Sequence, residues 1–515
     1  MANITKVYLL NVPLESDYKN TLYFSGKDDQ TSYFQSKIKK SYTDFSYQRK
    51  DNVIRLPEQY DDVLGCNYVM YQNSAYSNKW FYAFITDVTY INDGRTDITI
   101  ETDVLQTWMF DYTIKDSFVE REHVTDDTVG ANTFPEQLET GEYICNGLSR
   151  DQELREYVYV ITVTEWTPID GESNPDKPLA TNFGGVFSAG GAYVCENMNE
   201  VVSIINLYSE GKIEAVTGVY MIPKKIIKRE EGLLQYKGQS EPVVYEHSFE
   251  KQTTLDGYTP KNKKLLCFPY NYILNSNNAG QSNIVYYEHF SGDKCTFEIE
   301  GVPTIGGSIK CVPANYKGYE RIQEEGIMCG KFPTLSWSND LYTNWITQNA
   351  VNIGVGVASS AVSLIGGIAL MATGGGALAG GGMVVSGALG IAQTLGQVYE
   401  HSLTPNSAQG NINSGDINTS YKMNTFYFYK MSIKKEYARI IDEYFTMFGY
   451  KVCRVKKPNK NHRARFWYTK TRDVNIDGAI PNKDMQEIKN CYNNGVTFWK
   501  NAADINNYSV DNGIV

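Results

Sequence analysis

From Leu341 to Tyr399 the chain carries no formal charge, and Asp340 and Glu400 bound the gap. Elsewhere charge is frequent, at 21% of a 515-residue chain, so a neutral stretch of this length constrains the fold by itself. Its centre, "GGIALMATGGGALAGGGMVVSGALG" (366–390), is glycine and small aliphatics. The triple glycine Gly374, Gly375 and Gly376 acts as a hinge between two halves. Each half has about 20 residues, close to the span of a bilayer core at a rise of roughly 1.5 Å per residue.

Read as helices, both halves carry the same stripe. Asn352, Gly356, Ser359 and Ser363 share their spacing with Ser386, Gly390, Gln393 and Gln397. Folding back at the hinge brings the two stripes to matching depth. Opposite the first stripe stand Ile353, Val357, Ala361, Leu364, Ile368 and Met371. Ile365, Leu370, Leu378, Met383, Val384, Val385 and Leu389 complete the apolar surface, while Ser360 and Thr394 fall off the pattern. Small residues let helices approach closely in lipid. In water the same residues make a poor helix, since each of the thirteen glycines between 351 and 396 costs about 1 kcal/mol relative to alanine. Unpaired backbone groups cost several kcal/mol each in hydrocarbon, so the segment is expected to become regular on entering a membrane. Two other readings stay open, a helical hairpin in a large core and a flexible linker. The Val, Leu, Ile and Met content argues against a linker, and the small residues bury little area for a core.

The rest reads as mainly β. Tyrosine is abundant, at 39 copies, and aromatic and β-branched residues suit pleated surfaces. "WFYAFITDVTYI" (80–91) reads as a strand, Asp93-Gly94 as a hairpin turn, and "DITIETDVL" (97–105) as its partner. In that partner Ile98, Ile100, Thr102 and Val104 alternate with Asp97, Thr99, Glu101 and Asp103, as a half-buried strand requires. Further strands are expected in 156–166, 282–290 and 424–433, and a helix in 197–211. "KKEYARIIDEYFTMFG" (434–449) is the strongest helix, with Tyr437, Ile440, Ile441, Tyr444, Phe445 and Phe448 on one face and Gly449 as its stop. The expected division is a β tube domain over 1–135, a β-rich knob domain over 136–345, the membrane-active loop over 346–400, and strands and a helix over 401–515 that complete the tube domain.

A net charge of −11 argues against a general nucleic-acid binder. The nine cysteines form no CxxC and their number is odd, so reduced thiols are expected. Residues 1–30 show no leader pattern. No enzyme signature emerges: "TGGGALAGGG" lacks the Lys-Ser/Thr of a phosphate loop, and the five histidines are dispersed. Neither a cofactor nor a metal is expected. One charge feature is sharp: Lys451 to Arg472 holds nine Lys/Arg and no acid. It reads either as a basic hairpin facing acidic surface on a neighbouring subunit, with Lys456, Lys457, Arg463 and Arg465 in contact, or as a contact with DNA phosphates or anionic lipid.

Several stretches at both ends carry a resemblance. They are "DYKNT" (17–21), "NKWFYAF" (78–84), "DVLQTWMFD" (103–111), "FVEREHV" (118–124), "GYKVCRVKKPN" (449–459), "NKDMQEI" (482–488), "NGVTFW" (494–499) and "NYSVDN" (507–512). Through them the chain resembles the distal tail tube, or tail knob, proteins of short-tailed bacteriophages of the phi29 type. The resemblance implies tube-forming β-barrel-like domains, a homohexamer at the far end of the tail, and other tail tube or connector proteins as partners. It implies apolar loops that plug the lumen, then enter the host cytoplasmic membrane as a channel for the phage's double-stranded DNA. Such a protein is made in the host cytoplasm and is not catalytic. A rival reading is a tail-tip adhesin that binds cell-wall glycan through Tyr- and Trp-rich loops.

Overall fold

The computed structural model describes residues 5–43, 52–74, 77–163, 181–183, 186–188, 191–209, 215–227, 235–236, 243–278, 281–301, 309–317, 327–329, 334–335 and 425–515. The fold is mainly β. The chain divides into two compact units. The first joins Met1–Gly141, Tyr258–Leu265 and Lys435–Val515, and the second joins Glu142–Gly257 and Leu266–Lys434.

In the first unit, a six-stranded antiparallel sheet runs in the order Ile38–Tyr42, Thr5–Leu10, Tyr68–Asn73, Trp80–Asn92, Arg95–Thr102, Val53–Leu56. Both of its faces bury apolar side chains. Val7, Leu9, Val69, Ala83 and Ile98 share one cluster. Leu10, Tyr68, Met70, Tyr82 and Phe84 share another with Phe34, Phe466 and Trp499. Burial on two faces explains why "YVMY" and "WFYAF" are continuous apolar runs rather than alternating ones. The 80–102 hairpin forms as read, with Asn92 opposite Arg95 and the Gly94 N–H donating to Asn92 Oδ1 at 3.0 Å. Its second strand ends sooner than the alternation suggests. Thr102 is its last residue, and Asp103 is buried as the cap of the helix Val104–Trp108. The acidic face is therefore not continuous: Asp97 pairs with Arg55 at 2.8 Å, Glu101 is exposed, and Asp103 points inward.

A five-stranded sheet completes this unit, in the order Asn20–Leu22, Val496–Trp499, Phe466–Arg472, Ser117–Glu122, Tyr450–Lys456. The first pair is parallel and the others are antiparallel. The helix Lys435–Phe448 forms, but it buries Ala438, Ile441, Asp442 and Phe445, while Ile440 is 64% exposed. An aspartate thus displaces an isoleucine from the inner face, because it holds backbone described below. The helix Asn482–Asn494 packs Ile488, Cys491 and Tyr492 with Val104, Leu105 and Trp467.

The second unit holds three larger sheets. One pairs Tyr157–Val163 with Gly191–Cys195 and Val216–Pro223, and the helix Met198–Ser209 packs Val201, Ile204 and Tyr208 with its Ile161, Val163 and Tyr193. The second is ordered Tyr143–Arg150, Tyr427–Ile433, Asn271–Ser276, Ser282–Val285, and the third Val243–Glu250, Lys294–Gly301, Ile309–Pro313, Ile327–Cys329. Two readings change here. The 282–290 stretch is a short strand followed by the 3-10 turn Tyr287–His289. Tyr427–Ile433, expected with the C-terminal segment, lies between strands of the central region and belongs to the second unit.

Candidate functional site

The neutral segment, including the apolar residues Ile353 to Leu389, the hinge Gly374–Gly376 and the stripe Asn352 to Gln397, lies outside the described residues. Among the described residues, no helix is long and apolar enough to cross a membrane. No group of His, Cys, Asp and Glu among them suits a metal ion.

The terminal motifs converge in the first unit. Tyr18, at φ 54°, donates its hydroxyl to the Thr102 carbonyl at 3.0 Å and accepts from the Val104 N–H at 3.3 Å. Asn20 Oδ1 accepts from the Trp499 indole at 2.8 Å. Asp103 accepts from the Gln106 N–H at 3.0 Å and from the Tyr68 hydroxyl at 2.8 Å, a helix cap made wholly from buried groups. Burial pushes its carboxyl up to about 6, against the pull of those donors. Trp108 donates to Asp484 at 2.9 Å, and the Lys79 ammonium sits 3.4 Å from a Trp108 ring centroid while pairing with Asp111 at 2.6 Å.

The basic run does not form the expected hairpin: its strands Tyr450–Lys456 and Phe466–Arg472 lie on either side of the acidic strand Ser117–Glu122 and pair with it rather than with each other. Lys456 pairs with the buried Glu122 at 2.5 Å. Lys470 and Arg472 pair with Glu120 at 3.2 and 3.0 Å. Arg463 donates to the Val124 carbonyl at 2.7 Å. Arg465, 53% exposed at its side chain, lies 3.7 Å from Asp504, and Lys457 is exposed. Much of the run's charge is thus answered inside the unit, by carboxylates that the sequence places hundreds of residues earlier.

Three buried polar centres of this unit escaped the sequence reading. Glu136 lies between Arg121 and Lys264 and accepts from the Lys451 N–H at 2.9 Å. His123 accepts from the Tyr468 N–H at Nδ1 (2.8 Å), which leaves its Nε2–H to donate to the Thr446 carbonyl (3.0 Å). Burial and the nearby Arg463 push this imidazole down to about 3. Asp442 accepts from the Tyr258 hydroxyl at 2.7 Å, the Lys261 N–H at 2.7 Å and the Asn262 N–H at 3.0 Å. No local pattern announces any of these, since each partner is remote in sequence.

Residues 234–513 match the family model for the C-terminal domain of the Bacillus phage phi29 tail knob protein gp9. The chain belongs to this tail knob family. It is a structural tail protein. Residues 3–115 also match the N-terminus of the caudoviral major tail protein. The chain is 25% identical to the tail knob protein gp9 of Bacillus phage phi29 and to that of Bacillus phage PZA, in each case over 98% of this chain and 97% of the relative. Its fold is similar to that of the bacteriophage C1 tail knob protein gp12, with a TM-score of 0.66 at 16% identity, over 99% of this chain and all of the other.

Proposed function

We propose that six copies of this tail knob chain form a tube at the distal end of a short phage tail, and that the neutral segments plug its lumen before infection. On contact with the host the segments leave the lumen, insert into the cytoplasmic membrane and line a channel through which double-stranded DNA is ejected. The observation that carries the reading is the uncharged stretch from Leu341 to Tyr399 inside a chain of the tail knob family. Its residues are more stable among acyl chains than in water, because only there do the glycines gain from closing every backbone hydrogen bond. The acidic net charge supports a wall that lets DNA slide rather than bind.

Dye release from liposomes tests the membrane step. The intact protein releases dye, and protein lacking 350–398, or carrying Leu364→Asp with Val384→Asp, assembles normally but releases none. Equal leakage from the truncated protein would falsify the channel. Electron microscopy of the assembled particle tests the ring, which must have six-fold symmetry around a bore wide enough for duplex DNA. Lys457 and Arg465 present charge outward, which supports contact with an acidic surface of a neighbouring subunit. Replacing both with alanine then weakens assembly. Normal assembly with weaker DNA or vesicle binding assigns them to phosphate instead.

A further inference from the structure

Lys456, Asn459 and Glu122 form a closed triangle. The Lys456 ammonium donates to Glu122 Oε1 at 2.5 Å and to Asn459 Oδ1 at 2.7 Å. Asn459 Nδ2 donates to the same Glu122 Oε1 at 3.1 Å and to the His123 carbonyl at 3.1 Å. That second carbonyl fixes the orientation of the amide, with its oxygen on the lysine and its nitrogen on the carboxylate. The other carboxylate oxygen accepts from the Asn459 N–H at 2.8 Å, so the loop is already closed around Glu122. The Glu122 side chain is 1% exposed and that of Lys456 21%.

From this arrangement we infer that Lys456 and Asn459 form an intramolecular isopeptide bond, with Glu122 as the proton relay. The reaction needs an amine held against a side-chain amide, a carboxyl that takes the amine's proton and returns one to the leaving nitrogen, and little water. The amine, the amide and the carboxyl are in place, and the carboxyl is shielded from water, with its side chain 1% exposed. Lys456 Nζ passes a proton to Glu122 Oε1 and attacks Asn459 Cγ. The Nζ–Cγ bond forms, Oε1–H protonates Nδ2, and the carboxylate so regenerated takes the second Nζ proton. The Cγ–Nδ2 bond breaks and ammonia leaves. Nothing is oxidised or reduced, and no co-reactant enters. Burial raises the Glu122 carboxyl above its ordinary range, which favours its protonated form. The product ties the end of the edge strand Tyr450–Lys456 to the loop that follows it.

The test is the intact mass of the purified full-length chain after denaturation, with tandem mass spectrometry of its digest. The expected wild-type mass is lower than the sequence mass by one ammonia, trypsin does not cleave after Lys456, and fragment ions between 456 and 459 are lost. Lys456→Arg keeps a charged donor for Glu122 but leaves the full sequence mass, as does Glu122→Gln. Where Glu122→Gln does not fold, Lys456→Arg decides the question alone. A wild-type chain that holds its full mass after prolonged incubation, or a loss of ammonia that persists in Lys456→Arg, overturns the bond.

Discussion

The Trp108 indole N–H donates to Asp484 Oδ2 at 2.9 Å, which ties "DVLQTWMFD" near the start of the chain to "NKDMQEI" near its end. Asp484 is 6% exposed, so removing the donor leaves a buried carboxylate oxygen unanswered. Trp108→Phe keeps an aromatic face for Lys79 but loses this bond. It is expected to cost about 1–3 kcal/mol, read as a lower urea midpoint at an unchanged slope.

Asp442 is expected to be worth more than a surface aspartate on a helix. Its side chain answers two backbone N–H groups and a hydroxyl of the 258–265 segment. Asp442→Ala strands those donors, at about 3 kcal/mol or more, and frees the segment. Limited trypsin digestion then cuts first after Lys261 and Lys263, whereas wild-type protein resists there. Asp442→Asn keeps an acceptor and falls between the two.

Gly449 has φ 64°, and a Cβ built on it would lie 2.1 Å from the Glu122 carbonyl oxygen. The chain must turn left-handed there and pass against the strand Ser117–Glu122, and only glycine satisfies both demands. Gly449→Ala is expected to cost about 2–4 kcal/mol, measured by chemical denaturation. A loss of only about 1 kcal/mol (roughly the cost of a left-handed backbone alone) would show that the strand gives way.

His123 makes stability depend on pH in a stated direction. Its folded value, about 3, lies below the ordinary 6.5, so the folded state prefers the neutral ring. That contribution is complete above pH 6.5. It is lost progressively as pH falls towards 3, at about 1.4 kcal/mol per pH unit for a single group. His462, pushed down to about 4 by burial, adds the same sign over a shorter window. Unfolding free energies of wild type and His123→Gln, measured from pH 7 to pH 4, should differ in slope below pH 6.5. Parallel curves would assign the acid lability elsewhere.

Local pattern carried much of the fold. The 80–102 hairpin follows from Asp93-Gly94 between two apolar runs, and the helix Lys435–Phe448 from its period and Gly449. These features need only neighbours within one or two turns of chain. Details failed where a remote group intervened. Asp103 left the strand pattern because Tyr68 and the helix N-terminus needed an acceptor, and Asp442 took an inner position because backbone at 261–262 did.

By itself the sequence determined the mainly β character, the resemblance to tail knob proteins and the presence of one long neutral segment. All three are properties of composition or contiguous residues, legible without knowing what lies across from them. Only the tertiary structure decided that Tyr427–Ile433 pairs within the second unit, that Glu120 and Glu122 sit between the two basic strands and answer them, and that Lys456 and Asn459 share a buried carboxylate. The reason is physical. A buried charge must find its partner wherever the fold brings one, and the separation of that partner along the chain leaves no local trace.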